Sequence, residues 1–270
     1  MMRITETVKQ LIIINIMFFV GTYLVGEPAH KYLALYPVQN DNFQIWQLLT
    51  HMFMHGGIMH ILFNMFALFS FGGLLEQMWG PKKFIFFYIS CGLGAAALHL
   101  GITYLEIQQI LHQVSYLNLP DDALYKIINI PVIENGHVFT DAFNAQAPVI
   151  LNGLGKIPQH TEMQTLFNAT LINQIPAVGA SGAIYGILVA FAFIVPNAEL
   201  MLMFVPIPIK AKYFVPGLLA FDLFLGLKGQ SIFGGSSDGV AHFAHLGGAL
   251  IGFIMMWYWK KNEFNKNRWN

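Results

Sequence analysis

Six apolar runs, each about the length needed to cross a bilayer, constrain this chain more than any other feature. They lie near residues 8–26, 52–75, 83–104, 181–196, 213–227 and 241–259. Only 10% of residues are charged and 56% are hydrophobic, where a soluble domain would carry roughly a quarter charged residues. A backbone immersed in lipid must satisfy its own polar groups, so such runs read as helices. The expected class is an all-α integral membrane protein, and a net charge of zero says little about partners. No basic patch suited to nucleic acid is visible. The single cysteine, Cys91, excludes an internal disulfide and any cysteine metal cluster. The first run lacks a small-residue cleavage site behind it and reads as a retained span rather than a signal peptide. An interfacial helix over 8–26 is the runner-up; its length and weak amphipathicity argue against it.

Basic residues set the expected orientation. Arg3, Lys9, Lys82, Lys83, Lys210, Lys212, Lys260, Lys261, Lys266 and Arg268 fall on one side of the spans, and Lys31, Lys126, Lys156 and Lys228 on the other. The excess places both termini in the cytoplasm and the Ser181 end of the fourth span outward. About 70 residues, 105–176, separate the third and fourth spans and hold Pro120, Pro131, Pro148, Pro158 and Pro176. Leu105, Ile107, Ile110, Leu111, Val114 and Leu117 recur at helical spacing, Pro120-Asp121-Asp122 reads as a helix start, and Asn135-Gly136 as a turn. The expected organisation is a membrane domain over 1–104 and 177–260, an extracytoplasmic insertion over 105–176 against the membrane face, and a cytoplasmic tail over 261–270.

Polar groups at membrane depth are costly and become functional candidates by default. His60 and Asn64 are i and i+4 and share a helix face. Two donors aimed at one point can hold a developing oxyanion; polar glue between helices is an equally weighted reading. His51 and His55 have the spacing of a metal pair but lack a third ligand in that turn. Ser181 opens the fourth span inside Gly179-Ala180-Ser181-Gly182, with Tyr185 one turn on. A serine at a helix start is either an N-cap or a hydroxyl at the positive end of a dipole, where anionic charge is favoured. Gly182 and Gly186 form a small-xxx-small pair. On the sixth span Ala241, His245, Gly248, Ala249 and Gly252 line one face, nearly bare except for the imidazole, so another helix can come close. A serine becomes a nucleophile when a base accepts its proton, and Ser181 with His245 supplies that pair. No acidic residue is visibly placed to orient the imidazole; stacking on Tyr185 is the available substitute.

These motifs resemble those of the rhomboid intramembrane serine proteases across all six spans. His60-x₃-Asn64, Gly179-x-Ser181-Gly182 and Ala244-His245-x-x-Gly248 with Gly252 occur in the family's order. The resemblance implies a six-transmembrane-helix rhomboid bundle. It implies Ser181 as nucleophile, His245 as general base, and His60, Asn64 and the Ser181 amide as oxyanion hole. Tyr185 would stack under the histidine, Gly179 and Gly248 support the site, and Glu76 match a structural glutamate. It implies transmembrane-protein substrates cut near the outer bilayer surface, the bilayer as the other partner, no cofactor and no metal, and a bacterial plasma-membrane setting. The sequence departs from the family where Trp46-Gln47 replaces a frequent Trp-Arg, and in the long insertion. His242 offers a second register for the last motif; His245 is preferred because Gly248 and Gly252 then follow at +3 and +7, leaving His242 near a water-filled mouth. Two rivals are a pseudoprotease that binds transmembrane helices without cutting, and a transporter, for which only Asp222 loosely qualifies as a coupling residue.

Overall fold

The computed structural model describes residues 4–134, 136–202, 205–228 and 239–266. Helix α1 covers Glu6–Val25 and is followed by a short α2, Glu27–Leu33. An irregular stretch leads to α3, Gln47–Thr50, and a 3₁₀ turn at His51–Phe53. Helix α4, Ile58–Ala67, runs through a π-turn at Leu68–Gly72 into α5, Gly73–Trp79. The expected second span, 52–75, therefore begins six residues late and ends four residues on. Residues 51–57 are held instead by loop chemistry: Thr50 Oγ1 donates to the Leu33 carbonyl at 2.7 Å and His51 Nδ1 sits 2.7 Å from the Gln47 carbonyl.

Helix α6, Pro81–His112, begins behind Gly80, whose positive φ of 76° turns the chain sharply between two helices. It runs past residue 104 without a break. Beyond it come α7 (Asp121–Ile128), the hairpin β1 (Ile133–Glu134) and β2 (His137–Val138), α8 (Asp141–Gly153) and α9 (His160–Gln174). Of the expected Asn135-Gly136 turn, Asn135 lies outside the described residues and Gly136 has the positive φ such a turn needs. Helix α10, Ser181–Ile194, is joined to α11, Ala211–Lys228, through a second hairpin, β3 (Glu199–Leu202) and β4 (Val205–Lys210). Helix α12 spans Gly239–Lys266. The two short hairpins interrupt an otherwise helical chain, and α12 continues through residues 261–266.

Among the described residues, Glu6–Val25, Ile58–Trp79 and Pro81–His112 are long and apolar enough to cross a membrane, and Ser181–Ile194 is a shorter apolar helix. Their outward faces stay apolar: Ile16, Met17 and Val20 on α1, Leu62 and Phe66 on α4, and Phe253 and Ile254 on α12 are exposed. Such a surface suits lipid rather than water.

Glu76 ties the first helix to the second span. Its carboxylate accepts from the Thr7 and Val8 amides at 3.0 Å each, and from the Thr5 hydroxyl. Those are the open amides of the α1 N-terminus, where negative charge is favoured.

Two cores result. One lies between the membrane helices, with Tyr88, Phe84, Phe87, Cys91, Ala183 and Ile187 buried together. The other lies beyond them, where Ile107 and Leu111 of α6 pack with Ile127, Phe143, Leu151 and Leu166. Ile107 and Leu111, expected from their helical spacing, thus serve the outer core. Polar contacts lash that outer unit to the stretch before α3. Asn40 Nδ2 donates to the Asn173 carbonyl at 2.6 Å, and Asn129 Oδ1 accepts from the Asp41 amide at 2.9 Å.

Candidate active site

Close packing of glycine faces builds the site. A Cβ at Gly182 would collide with the Ala95 methyl, at Gly186 with Cys91 Sγ, and at Gly248 with the Gly182 carbonyl oxygen. At Gly252 it would fall 2.8 Å from Gly186 Cα. Helices α6, α10 and α12 therefore meet backbone to backbone, as small residues permit between membrane helices. The expected bare face of α12 is the one that docks on α10.

This approach brings Ser181 and His245 together. Ser181 Oγ and His245 Nε2 are 2.9 Å apart. Tyr185 stacks on the His245 ring at 4.3 Å with an 11° angle between planes. The N-cap of α10 is Ala180, and Ser181 makes no capping bond. Its hydroxyl is directed to the imidazole instead, so capping does not account for this serine. A serine oxygen and an imidazole nitrogen at this distance can exchange a proton.

His60 stands beside the serine. Gly179 has a φ of 134°, and a Cβ there would lie 2.9 Å from His60 Nε2 and 3.5 Å from Ser181 Oγ. Glycine is required at this point both for the backbone angle and for the room. The Gly56 amide donates to His60 Nδ1 over 3.4 Å. A neutral imidazole accepting at Nδ1 carries its proton on Nε2, the nitrogen turned toward Gly179. Asn64 is 6% exposed, and its Nδ2 has no hydrogen-bond partner among the described residues. Glue between helices would give that donor an acceptor; an unspent buried donor suits a site that waits for a ligand oxygen. His55, 5.0 Å from His60 edge to face, sits outside any helix, so its spacing from His51 does not put the two on one helical face.

Two expectations about histidine and its partners are corrected. Asp222 of α11 does face His245: its Oδ2 is 3.4 Å from His245 Nδ1. The contact is within ion-pair reach but does not have hydrogen-bond geometry, and both atoms are otherwise unpartnered. His242 is not at a water-filled mouth. It is 6% exposed, and its Nδ1 is 2.6 Å from Asp222 Oδ1. The signal for Asp222 was present, since it is an acidic residue inside an apolar run. What the run lacks is any indication of which neighbour it faces.

Asp222, His242 and His245 place possible metal ligands within 4.8 Å of one another. Two ligands on one tetrahedral zinc, each at about 2.1 Å, would stand about 3.4 Å apart. The 2.6 Å contact between His242 Nδ1 and Asp222 Oδ1 is shorter than that, so this pair is hydrogen-bonded rather than set apart as two ligands of one metal.

Gln47, where the family often has arginine, is wholly buried. Its Oε1 accepts from the Tyr36 and Gln44 amides, and its Nε2 donates to the Lys31 and Asn42 carbonyls, at 2.9–3.3 Å. It organises the stretch before α3, which reaches the site through a Leu35–Ala177 bridge and a 2.9 Å bond from the Gly179 amide to the His51 carbonyl.

A bundle of apolar helices around a half-buried serine and histidine defines a class of multi-pass membrane protein, and the comparisons agree. The rhomboid domain model matches residues 42–107 and 150–262, so the chain belongs to the rhomboid family. Residues 108–149, holding α7, the first hairpin and the start of α8, fall between the matched segments. An uncharacterized mitochondrial rhomboid protein of Schizosaccharomyces pombe is 25% identical over 81% of this chain and 52% of its own length. The rhomboid protease GlpG of Haemophilus influenzae is 29% identical over 27% of this chain and 39% of its own. The chloroplastic rhomboid-like protein 11 of Arabidopsis thaliana is 25% identical over 93% of this chain and 64% of its own. The chain thus spans about half the length of the curated relatives it matches, or somewhat more or less.

Proposed function

We propose that this chain is an intramembrane serine endopeptidase that cuts single-span membrane proteins near the outer surface of the bilayer. The observation that carries the reading is the 2.9 Å approach of Ser181 Oγ to His245 Nε2. Ser181 attacks a carbonyl of locally unwound substrate while its proton passes to His245 Nε2. The oxyanion is held by His60 Nε2–H, Asn64 Nδ2–H and the Ser181 amide. His245 returns the proton to the leaving amine, and water hydrolyses the acyl-enzyme. Tyr185 fixes the ring plane, and Gly179 and Gly248 hold the close approaches. No cofactor or metal enters the scheme.

Gly182, the residue after Ser181, packs against Ala95 near the middle of the 32-residue α6, which supports a site below the membrane surface. A pseudoprotease would need neither an engaged serine–histidine pair nor an unspent donor at Asn64. Labelling by a fluorophosphonate probe, with Ser181→Ala as control, tests the reading. Labelling of the wild type alone supports it, and a wild type that never labels overturns it.

The topology belongs to the same proposal: six transmembrane helices, both termini cytoplasmic, and residues 105–176 an extracytoplasmic insertion, in a bacterial plasma membrane. Ser115 and Asn152 are exposed on that unit, and Cys91 is buried. Cysteines at Ser115 and Asn152, in a Cys91→Ala background, are expected to react with an impermeant maleimide in intact cells. Labelling only after lysis would reverse the orientation.

Asn64→Ala separates an oxyanion donor from a packing residue. Loss of one such donor costs on the order of 10²–10³ in kcat. Since Nδ2 has no partner to lose, the melting temperature and KM should barely move. Full kcat in a destabilised Asn64→Ala protein would remove Asn64 from the mechanism.

A further inference from the structure

Resting on the protease reading above, we propose that Asp222 is a positioning residue for His245, so that the dyad works as a chain of four groups: Ser181, His245, Asp222 and His242. Asp222 is 2% exposed on an apolar helix. A carboxylate taken out of water in this way requires compensation by its neighbours. Its neighbours are few. His242 and His245 face it from α12, at 2.6 and 3.4 Å, and Tyr185 turns its hydroxyl toward it from α10. Among the described residues no lysine or arginine pairs with it. A carboxylate kept for fold stability alone would be better matched by one close basic partner than by two imidazoles presented in sequence.

The tautomer makes the arrangement useful. His245 Nε2 can accept the Ser181 proton only if the resting ring carries its proton on Nδ1. Nδ1 is the nitrogen that faces Asp222 Oδ2. Both atoms are buried and make no hydrogen bond among the described residues, so the Nδ1 proton is left facing this carboxylate, toward which the Tyr185 hydroxyl is also turned. Their 3.4 Å separation is long, as catalytic contacts often are before substrate binds. When Ser181 Oγ bonds to the substrate carbon, its proton moves to Nε2 and His245 becomes a cation. The Nδ1 proton stays on the ring, and Asp222 stabilises the cation without taking it. The Nε2 proton then leaves with the amine. His242 Nδ1, held on Oδ1, fixes the plane of the carboxylate so that Oδ2 points at His245.

The test uses the full-length protein in liposomes with one cleavable transmembrane substrate, measuring kcat, KM and melting temperature. Asp222→Asn keeps the shape and removes the charge. It is expected to lower kcat on the order of 10²-fold or more, with KM and melting temperature near wild type. Wild-type kcat in Asp222→Asn overturns the proposal. So does a loss no larger than the unfolded fraction. If Asp222→Asn does not fold, Asp222→Glu and Asp222→Gln decide. Both add the same methylene, so damage to packing is shared and their difference reads the charge. Glutamate is expected to retain at least tenfold more kcat than glutamine, and equal rates overturn the proposal. Failure of the protease reading looks different: there, Ser181→Ala would still turn over.

Discussion

Alanine at Ser181 or at His245 is expected to abolish cleavage, and alanine at both is expected to cost no more than alanine at either. The two groups perform one proton transfer, so removing the second after the first has nothing left to disrupt. The expected loss is on the order of 10⁴–10⁶ in kcat. Binding should survive, because neither side chain is needed to hold a transmembrane helix. A co-purification of substrate with Ser181→Ala therefore belongs beside the turnover measurement. His245→Ala should cost far more than His242→Ala, since only His245 touches the serine oxygen. The reverse order would mean that the wrong histidine has been taken for the base. Turnover in Ser181→Ala would end the protease reading altogether.

Gly248→Ala is expected to have the second largest effect, through packing rather than chemistry. The added methyl would be driven into the Gly182 carbonyl oxygen, one residue from Ser181. Backbone cannot rotate aside as a side chain would, so α12 must move away from α10. Overpacking of this kind costs about 1–3 kcal/mol, occasionally more. The same displacement separates His245 from Ser181, so kcat should fall at least about tenfold even in the fraction that remains folded. The contrast is Gly153→Ala at the end of α8, where a Cβ meets nothing within 4 Å. There the change should be neutral or stabilising by up to about 1 kcal/mol. Melting temperature and kcat measured on both variants check the pair. A Gly248→Ala protein with wild-type stability and turnover would show that the helices have slack the glycine contacts deny.

Helix identity was legible because it is a local property. The runs near 8–26 and 213–227 become α1 and α11 with ends displaced by one or two residues, and 83–104 becomes α6, which ends eight residues later, since apolarity over a membrane length leaves the backbone little choice but a helix. Pairing of Ser181 with His245 was legible for a related reason. Gly182 and Gly186 on one helix, and Gly248 and Gly252 on another, stand at helical spacing, and two faces without side chains can touch. Start and stop signals inside loops were harder. Gln47 draws the Tyr36 and Gln44 amides and the Lys31 and Asn42 carbonyls onto one side chain, and Thr50 and His51 bond back to the Leu33 and Gln47 carbonyls, while the second span starts only at Ile58. Nothing in the apolar count of residues 52–57 records that competition. The hairpin of β3 and β4 lies between the fourth and fifth expected spans and was not anticipated; its Pro206 and Pro208 sit in a two-stranded edge, which tolerates them.

Asp222 marks the boundary most clearly. The sequence by itself determined that a carboxylate sits in an apolar helix and that it needs a partner. Which partner depends on the rotation of α11 about its axis and on its height against α12. Those are set by ridges of side chains packing across the whole interface, not by the residues next to Asp222 in the chain. Only the tertiary structure turns the carboxylate toward His242 and His245 together.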